Sequence, residues 1–132
     1  MSQPLTRPEI DHFRQKLRDR SAVLRDEIRD VLLRGDSEQY AHIAGQVHDL
    51  QEAALADLLV DVRLAEITRD VEELRDIDAA MRRMDSGTYG TCIVCGEPIA
   101  FERLEAYPTA KRCLTCQRRH EQTHRTPASP SL

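Results

Sequence analysis

Four cysteines carry the most legible chemistry in this sequence. Cys92-Ile93-Val94-Cys95-Gly96 places two thiols two residues apart, Cys113-Leu114-Thr115-Cys116 repeats the spacing, and 17 residues separate Cys95 from Cys113. A two-residue spacer lets both thiolates of a tight turn face one ion, and Gly96 relieves the backbone where the knuckle reverses. Two such knuckles make a tetrahedral four-sulfur site for one structural Zn2+. With every position filled by sulfur, no place remains for water or substrate, so zinc catalysis is not expected and a redox dithiol pair is far less favoured. Between the knuckles only Ile99, Phe101, Leu104 and Tyr107 offer a core. That is too little to order the segment alone, whereas metal binding of about 10–16 kcal/mol is enough. His120 and His124 follow Cys116 by four and eight residues; they read as exposed histidines on a terminal helix rather than as replacement ligands.

The rest of the chain must position that site. Its 132 residues, 40% hydrophobic and 32% charged, include two Phe, three Tyr and no Trp. So little aromatic mass suits long, solvent-washed helices better than a large enzyme core. Residues 1–90 carry 13 Arg and Lys against 19 Asp and Glu, a balance of −6, while residues 91–132 carry 6 against 4, a balance of +2. An acidic arm is a poor partner for a phosphate backbone. No apolar run approaches the ~20 residues of a membrane span, and Met1-Ser2-Gln3-Pro4 lacks the regions of a signal peptide, so the cytosol is the expected address. There, cysteines ligate metal more readily than they form disulfides.

Pro8 can open a helix from its first turn, and Ile10, Phe13, Leu17, Leu24, Ile28 and Val31 then form one apolar stripe. Arg20 and Ser21 interrupt it. A second stripe runs Val60, Leu64, Ile67, Val71, Leu74 and Met81, a heptad-like pattern predicting one helix over 55–85. Two narrow stripes without a third partner predict an antiparallel coiled-coil hairpin. Gly35-Asp36-Ser37 and Ala44-Gly45 are breaker or cap signals, with Tyr40, Ile43 and Val47 on a short irregular helix between the arms. Equal arms put the bend close to residue 47 and the tip within Gln46 to Ala54, with a kink of the first helix at Gly35 also open. Ser86-Gly87 ends the second helix, and Gln117 to Thr126 predicts a short basic helix. The fold class is therefore mainly α. A hairpin occupies 1–86 with its tip near 46–54, a zinc module with the C-terminal helix occupies 87–126, and a disordered tail occupies 127–132.

The stretch Tyr89-Gly90-Thr91-Cys92-Ile93-Val94-Cys95-Gly96-Glu97-Pro98-Ile99, then Arg103 to Ala110, then Cys113-Leu114-Thr115-Cys116, resembles the DksA/TraR group of bacterial transcription factors. The close match covers about residues 87–117; the hairpin matches in architecture. The resemblance implies a non-enzymatic, monomeric regulator whose coiled coil enters the secondary channel of RNA polymerase and modulates initiation without sequence-specific DNA binding. It also implies an acidic Asp-x-x-Asp-x-Ala motif at the tip. Asp49-Leu50-Gln51-Glu52-Ala53-Ala54 lies 43 residues before Cys92, where that motif belongs. Asp49, Glu52 and Ala54 are then the effector residues, with Glu in place of the second Asp. At 1.5 Å per residue, an arm of ~30 residues reaches ~45 Å, enough to carry carboxylates down a narrow channel. Basic residues that help bind ppGpp in the family correspond here to Asp76, Tyr107 and Gln117. None is basic, so a weak or absent ppGpp response is expected.

The competing reading is a zinc-finger nucleic-acid binder using Arg103, Lys111, Arg112, Arg118 and Arg119. It wants a concentrated basic surface, and here a +2 module adjoins a −6 arm.

Overall fold

The computed structural model describes residues 4–62 and 64–124. The residues expected to form the tail, 127–132, lie outside the described residues. Helix α1 spans Arg7–Leu33, α2 Glu38–Ala44, α3 Glu52–Leu58, α4 Ala65–Ser86, α5 Phe101–Ala106 and α6 Leu114–Thr123. Among the described residues no helix is long and apolar enough to cross a membrane.

α1 begins where its sequence provides a complete start signal. The Thr6 hydroxyl accepts the backbone N–H of Glu9, the Glu9 carboxylate accepts that of Thr6, and a proline lies in the first turn. Its 27 residues extend ~40 Å. α4 runs antiparallel beside it: Arg20 pairs with Glu73 and Arg14 with Asp85. Phe13, Leu17, Leu24 and Ile28 from α1 and Ile67, Leu74, Ile77 and Ala80 from α4 are fully buried. α4 stops at Gly87, whose φ of 80° is the left-handed conformation that side chains resist.

The segment between the arms departs from the expected tip. α1 ends at Leu33 rather than kinking at Gly35, and Ser37 caps α2 through its hydroxyl. α2 then turns back along α1, and α3 packs against α4. The single helix expected over 55–85 is broken between Leu58 and Ala65. The physical reason is burial: Ile43, Val47, Leu55, Ala56, Leu59 and Val62 all enter the core. A hairpin with a free tip would leave many of them with only each other to cover. The distal half is consequently a four-helix packing, with a wider apolar face on α1 than one coiled-coil seam requires.

At the other end, Phe13 joins the two parts. Its ring lies 5.9 Å from that of Tyr89 and 5.2 Å from that of Phe101. His12 pairs with Glu105, and Lys16 donates to the Glu105 backbone oxygen at 3.1 Å.

Candidate metal centre and effector segment

The first knuckle is shaped by its backbone. Gly96 N–H donates to the Cys92 oxygen at 3.0 Å, Cys92 N–H to the Glu97 oxygen at 2.8 Å, and Thr91 pairs with Pro98 in an isolated antiparallel bridge. Gly96 adopts φ 77°, so the turn needs a residue without a Cβ. The second knuckle runs directly into a helix: Cys113 is the N-cap of α6, and its sulfur accepts the Cys116 N–H at 3.5 Å. This cap starts α6 three residues before the expected Gln117. The knuckles are tied together by Ile93 N–H to the Lys111 oxygen at 2.9 Å. Between them, Arg103 Nε donates to the Arg112 oxygen at 3.0 Å, and the Tyr89 hydroxyl donates to the Pro108 oxygen at 2.7 Å.

These constraints bring the sulfurs of Cys92, Cys95, Cys113 and Cys116 within 4.8 Å of one another. Cys95 Sγ and Cys113 Sγ are 3.8 Å apart, the edge of a tetrahedron about 2.3 Å from its centre. Cys92 and Cys116 are buried, and Cys95 is exposed. Burial disfavours a thiolate at Cys92, but donors from the backbone around Cys95, Cys113 and Val94 outweigh it and bring its pKa down to about 6. Cys116, sharing a hydrogen bond with Cys113, is pushed up to about 12. Cys92 is thus ready to ionise, while Cys116 needs a cation to do so. The donor set fits one structural Zn2+, which supplies folding energy to the module. His120 and His124 stack on each other at 4.1 Å and stand outside the cluster.

The three expected effector residues are not presented together at an apex. Asp49 is exposed in the turn after α2, and Ala54 is exposed on α3. Glu52 is drawn inward: its carboxylate accepts from the Ser21 hydroxyl at 2.8 Å and from Arg25 Nη2 at 3.0 Å. Arg25 also donates to the Ser21 hydroxyl and to the backbone oxygens of Val47 and Leu50. Burial works against the Glu52 charge, but the hydrogen bonds from Ser21, its own backbone and Arg25 prevail and hold its pKa below the usual carboxylate value. In this fold Glu52 is the inward anchor of the returning segment and not a free carboxylate at an apex. Ser21 and Arg25, 3% and 8% exposed, were not singled out from sequence as site residues. For Ser21 the signal is the polar interruption of the first apolar stripe; Arg25 lies outside that interruption.

Of the positions corresponding to a ppGpp site, Asp76 and Tyr107 are exposed, and the Gln117 amide donates to Glu121 at 2.9 Å.

A helical hairpin closed at its base by a four-cysteine zinc module defines the class of C4-type zinc-finger regulators. The family model for the prokaryotic dksA/traR C4-type zinc finger matches residues 87–122. The chain is 33% identical over 119 residues to the RNA polymerase-binding transcription factor DksA of Caulobacter vibrioides, covering 89% of this chain and 79% of that one. Among solved structures it is similar to DksA2 from Pseudomonas aeruginosa, with a TM-score of 0.59 and 28% identity over 91% of this chain and 88% of the other. It is also similar to an RNA polymerase binding protein and transcriptional regulator from Chlamydia trachomatis, with a TM-score of 0.55 and 25% identity over 93% and 99% of the two chains. The chain belongs to the DksA/TraR family, whose members are transcription factors and not enzymes.

Proposed function

We propose that the protein binds RNA polymerase and modulates transcription initiation by placing the segment around Asp49 in the secondary channel, without reading DNA sequence. The observation that carries this reading is the likeness to a polymerase-binding relative along 89% of the chain, hairpin included, rather than over the zinc module alone. Cys92, Cys95, Cys113 and Cys116 are the zinc ligands, and the ion is an inert clasp. α1 extends ~40 Å from the zinc module, the reach that a probe needs. Asp49 is an exposed carboxylate of the turn between α2 and α3, able to perturb a magnesium ion or the side chains around it. Such a protein works as a monomer in the cytoplasm, where its polymerase is. The nucleic-acid reading is less well supported, because Arg103 is spent on the Arg112 oxygen and stacks over Tyr107.

The test is transcription in vitro with the cognate polymerase, comparing the native protein with Asp49→Asn, with and without ppGpp. Asp49→Asn is expected to keep polymerase binding while losing most of the regulatory effect. Added ppGpp should change little, since Asp76, Tyr107 and Gln117 offer it no cation. Failure to bind polymerase, or undiminished regulation by Asp49→Asn, would refute the proposal.

A further inference from the structure

The returning limb, α2 and α3 with the turn between them, is held by features that belong to two different conformations. In the structure, Ser21, Arg25 and Glu52 form a largely buried network that fixes residues 47–52 against the middle of α1. The sequence meanwhile carries a heptad pattern that this arrangement does not use. Val60 and Leu64 continue the spacing of Ile67, Val71 and Leu74, yet helix α3 has ended at Leu58, and Val60 is 59% exposed. It lines an apolar groove of about 550 Å³ with Leu59, Val62, Ala65 and Val71. A seam position left in water beside a groove is what remains when a continuous helix is folded at an elbow.

Neither connection is locked by its backbone. No glycine or proline occurs from Gln46 to Ser86. In the α1–α2 turn, Gly35 has no positive φ, and a Cβ there would meet nothing within 4 Å. Both connections can therefore become helical, at the modest propensity cost of one glycine. Joined in this way, α3 and α4 form one helix whose seam includes Val60 and Leu64, and Ile43 faces Leu55 across the extended arms in the register that pairs Arg14 with Asp85 and Arg20 with Glu73. With residues 47–52 withdrawn, the flank of α1 that carries Ser21 and Arg25 is opened to water, which suits polar residues beside its apolar stripe.

We infer that Arg25, Ser21 and Glu52 form a latch between this closed form and an extended hairpin in which residues 45–51 become the free tip. What the extended tip does rests on the function proposed above; the latch itself does not. A buried charge pair holds register well, and removing one partner strands the other in the closed form only.

The test places spin labels at positions 11 and 49 by non-canonical amino acids, sparing the zinc cysteines. The closed form gives a separation of about 20 Å, and the extended form about 55 Å at 1.5 Å per helical residue. Arg25→Leu is expected to raise the ratio of long to short distances at least roughly tenfold. Val60→Asp, which burdens only the extended form, should reverse that increase and suppress any long distance in the otherwise native protein. If Arg25→Leu keeps its zinc and helix content but shows only the short distance, the latch is refuted. It is equally refuted if Val60→Asp leaves the distribution unchanged in the Arg25→Leu background. Long distances in Arg25→Leu without any effect on transcription would instead uphold the latch and count against the proposed function.

Discussion

At the scale of single residues, charge placement on the α1/α4 interface is only partly favourable. Arg20 grips Glu73 with both Nε and Nη2, at 2.6 and 2.9 Å. Asp70, one turn away, faces Glu27; desolvation and the neighbouring carboxylate lift its pKa to about 6 against the pull of Arg20. A carboxyl raised in the folded state favours folding while protonated. Its contribution is full below the unfolded value near 4 and is lost as pH rises through about 6. At neutral pH Asp70 is therefore a net burden. Asp70→Asn should raise the melting temperature at pH 7.5, and the advantage should shrink to nothing as the buffer is taken toward pH 4. Because the site is only half-buried, solvent screening limits the gain to about 1 kcal/mol or less, a few degrees. A melting temperature lower than the native protein's at pH 7.5 would show that Asp70 is held by attraction rather than repulsion.

At the scale of elements, the sequence was legible wherever a local rule decides the structure. Thr6 to Glu9 starts α1, Gly87 ends α4, and Cys-x-x-Cys spacing shapes both knuckles. The alternation of Leu17, Leu24 and Ile28 with charged residues indicates a helix whichever partner covers it. The elbow between Leu58 and Ala65 was not legible, since nothing in Leu59 to Leu64 breaks a helix. What ends α3 there is long-range burial of Leu55, Leu59 and Val62, and such tertiary effects override propensity. Glu52 was readable as acidic but not as inward, because only the fold brings it to Ser21 and Arg25. Phe13 belongs to the legible set as core, yet its use as a joint between hairpin and zinc module required the structure. Its ring is fully buried and meets Tyr89 and Phe101. Phe13→Ala should cost about 3–5 kcal/mol and Phe13→Leu clearly less, seen as falling urea midpoints of helical circular dichroism. Equal midpoints for Phe13→Ala and the native protein would mean that the two parts are not coupled through this ring.

For the whole molecule, the question is how far the metal's free energy reaches. The zinc module buries few apolar side chains of its own, chiefly Tyr89, Ile99 and Leu104 beside the buried cysteines. The helical half, by contrast, has a continuous core from Phe13 to Val62 and back through Ile67 to Met84. Removing an ion whose binding is worth about 10–16 kcal/mol should therefore unfold the module and leave the helical half standing. α5 and α6 hold about a fifth of the residues in the six helices, so a strong chelator at neutral pH should abolish about that fraction of the helical signal. The remainder should still melt cooperatively, at a reduced temperature, because Phe13 loses Tyr89 and Phe101, and Leu5 loses its seat against Gly90. Returning Zn2+ should restore the lost signal at one equivalent. Acidification should mimic the chelator, since the sulfurs must be deprotonated to hold the ion. Loss of the entire helical signal on chelation would show that the hairpin depends on the metal, and no loss at all would show that the module folds without it. Either result would remove the basis for treating zinc as a clasp confined to the hairpin's base.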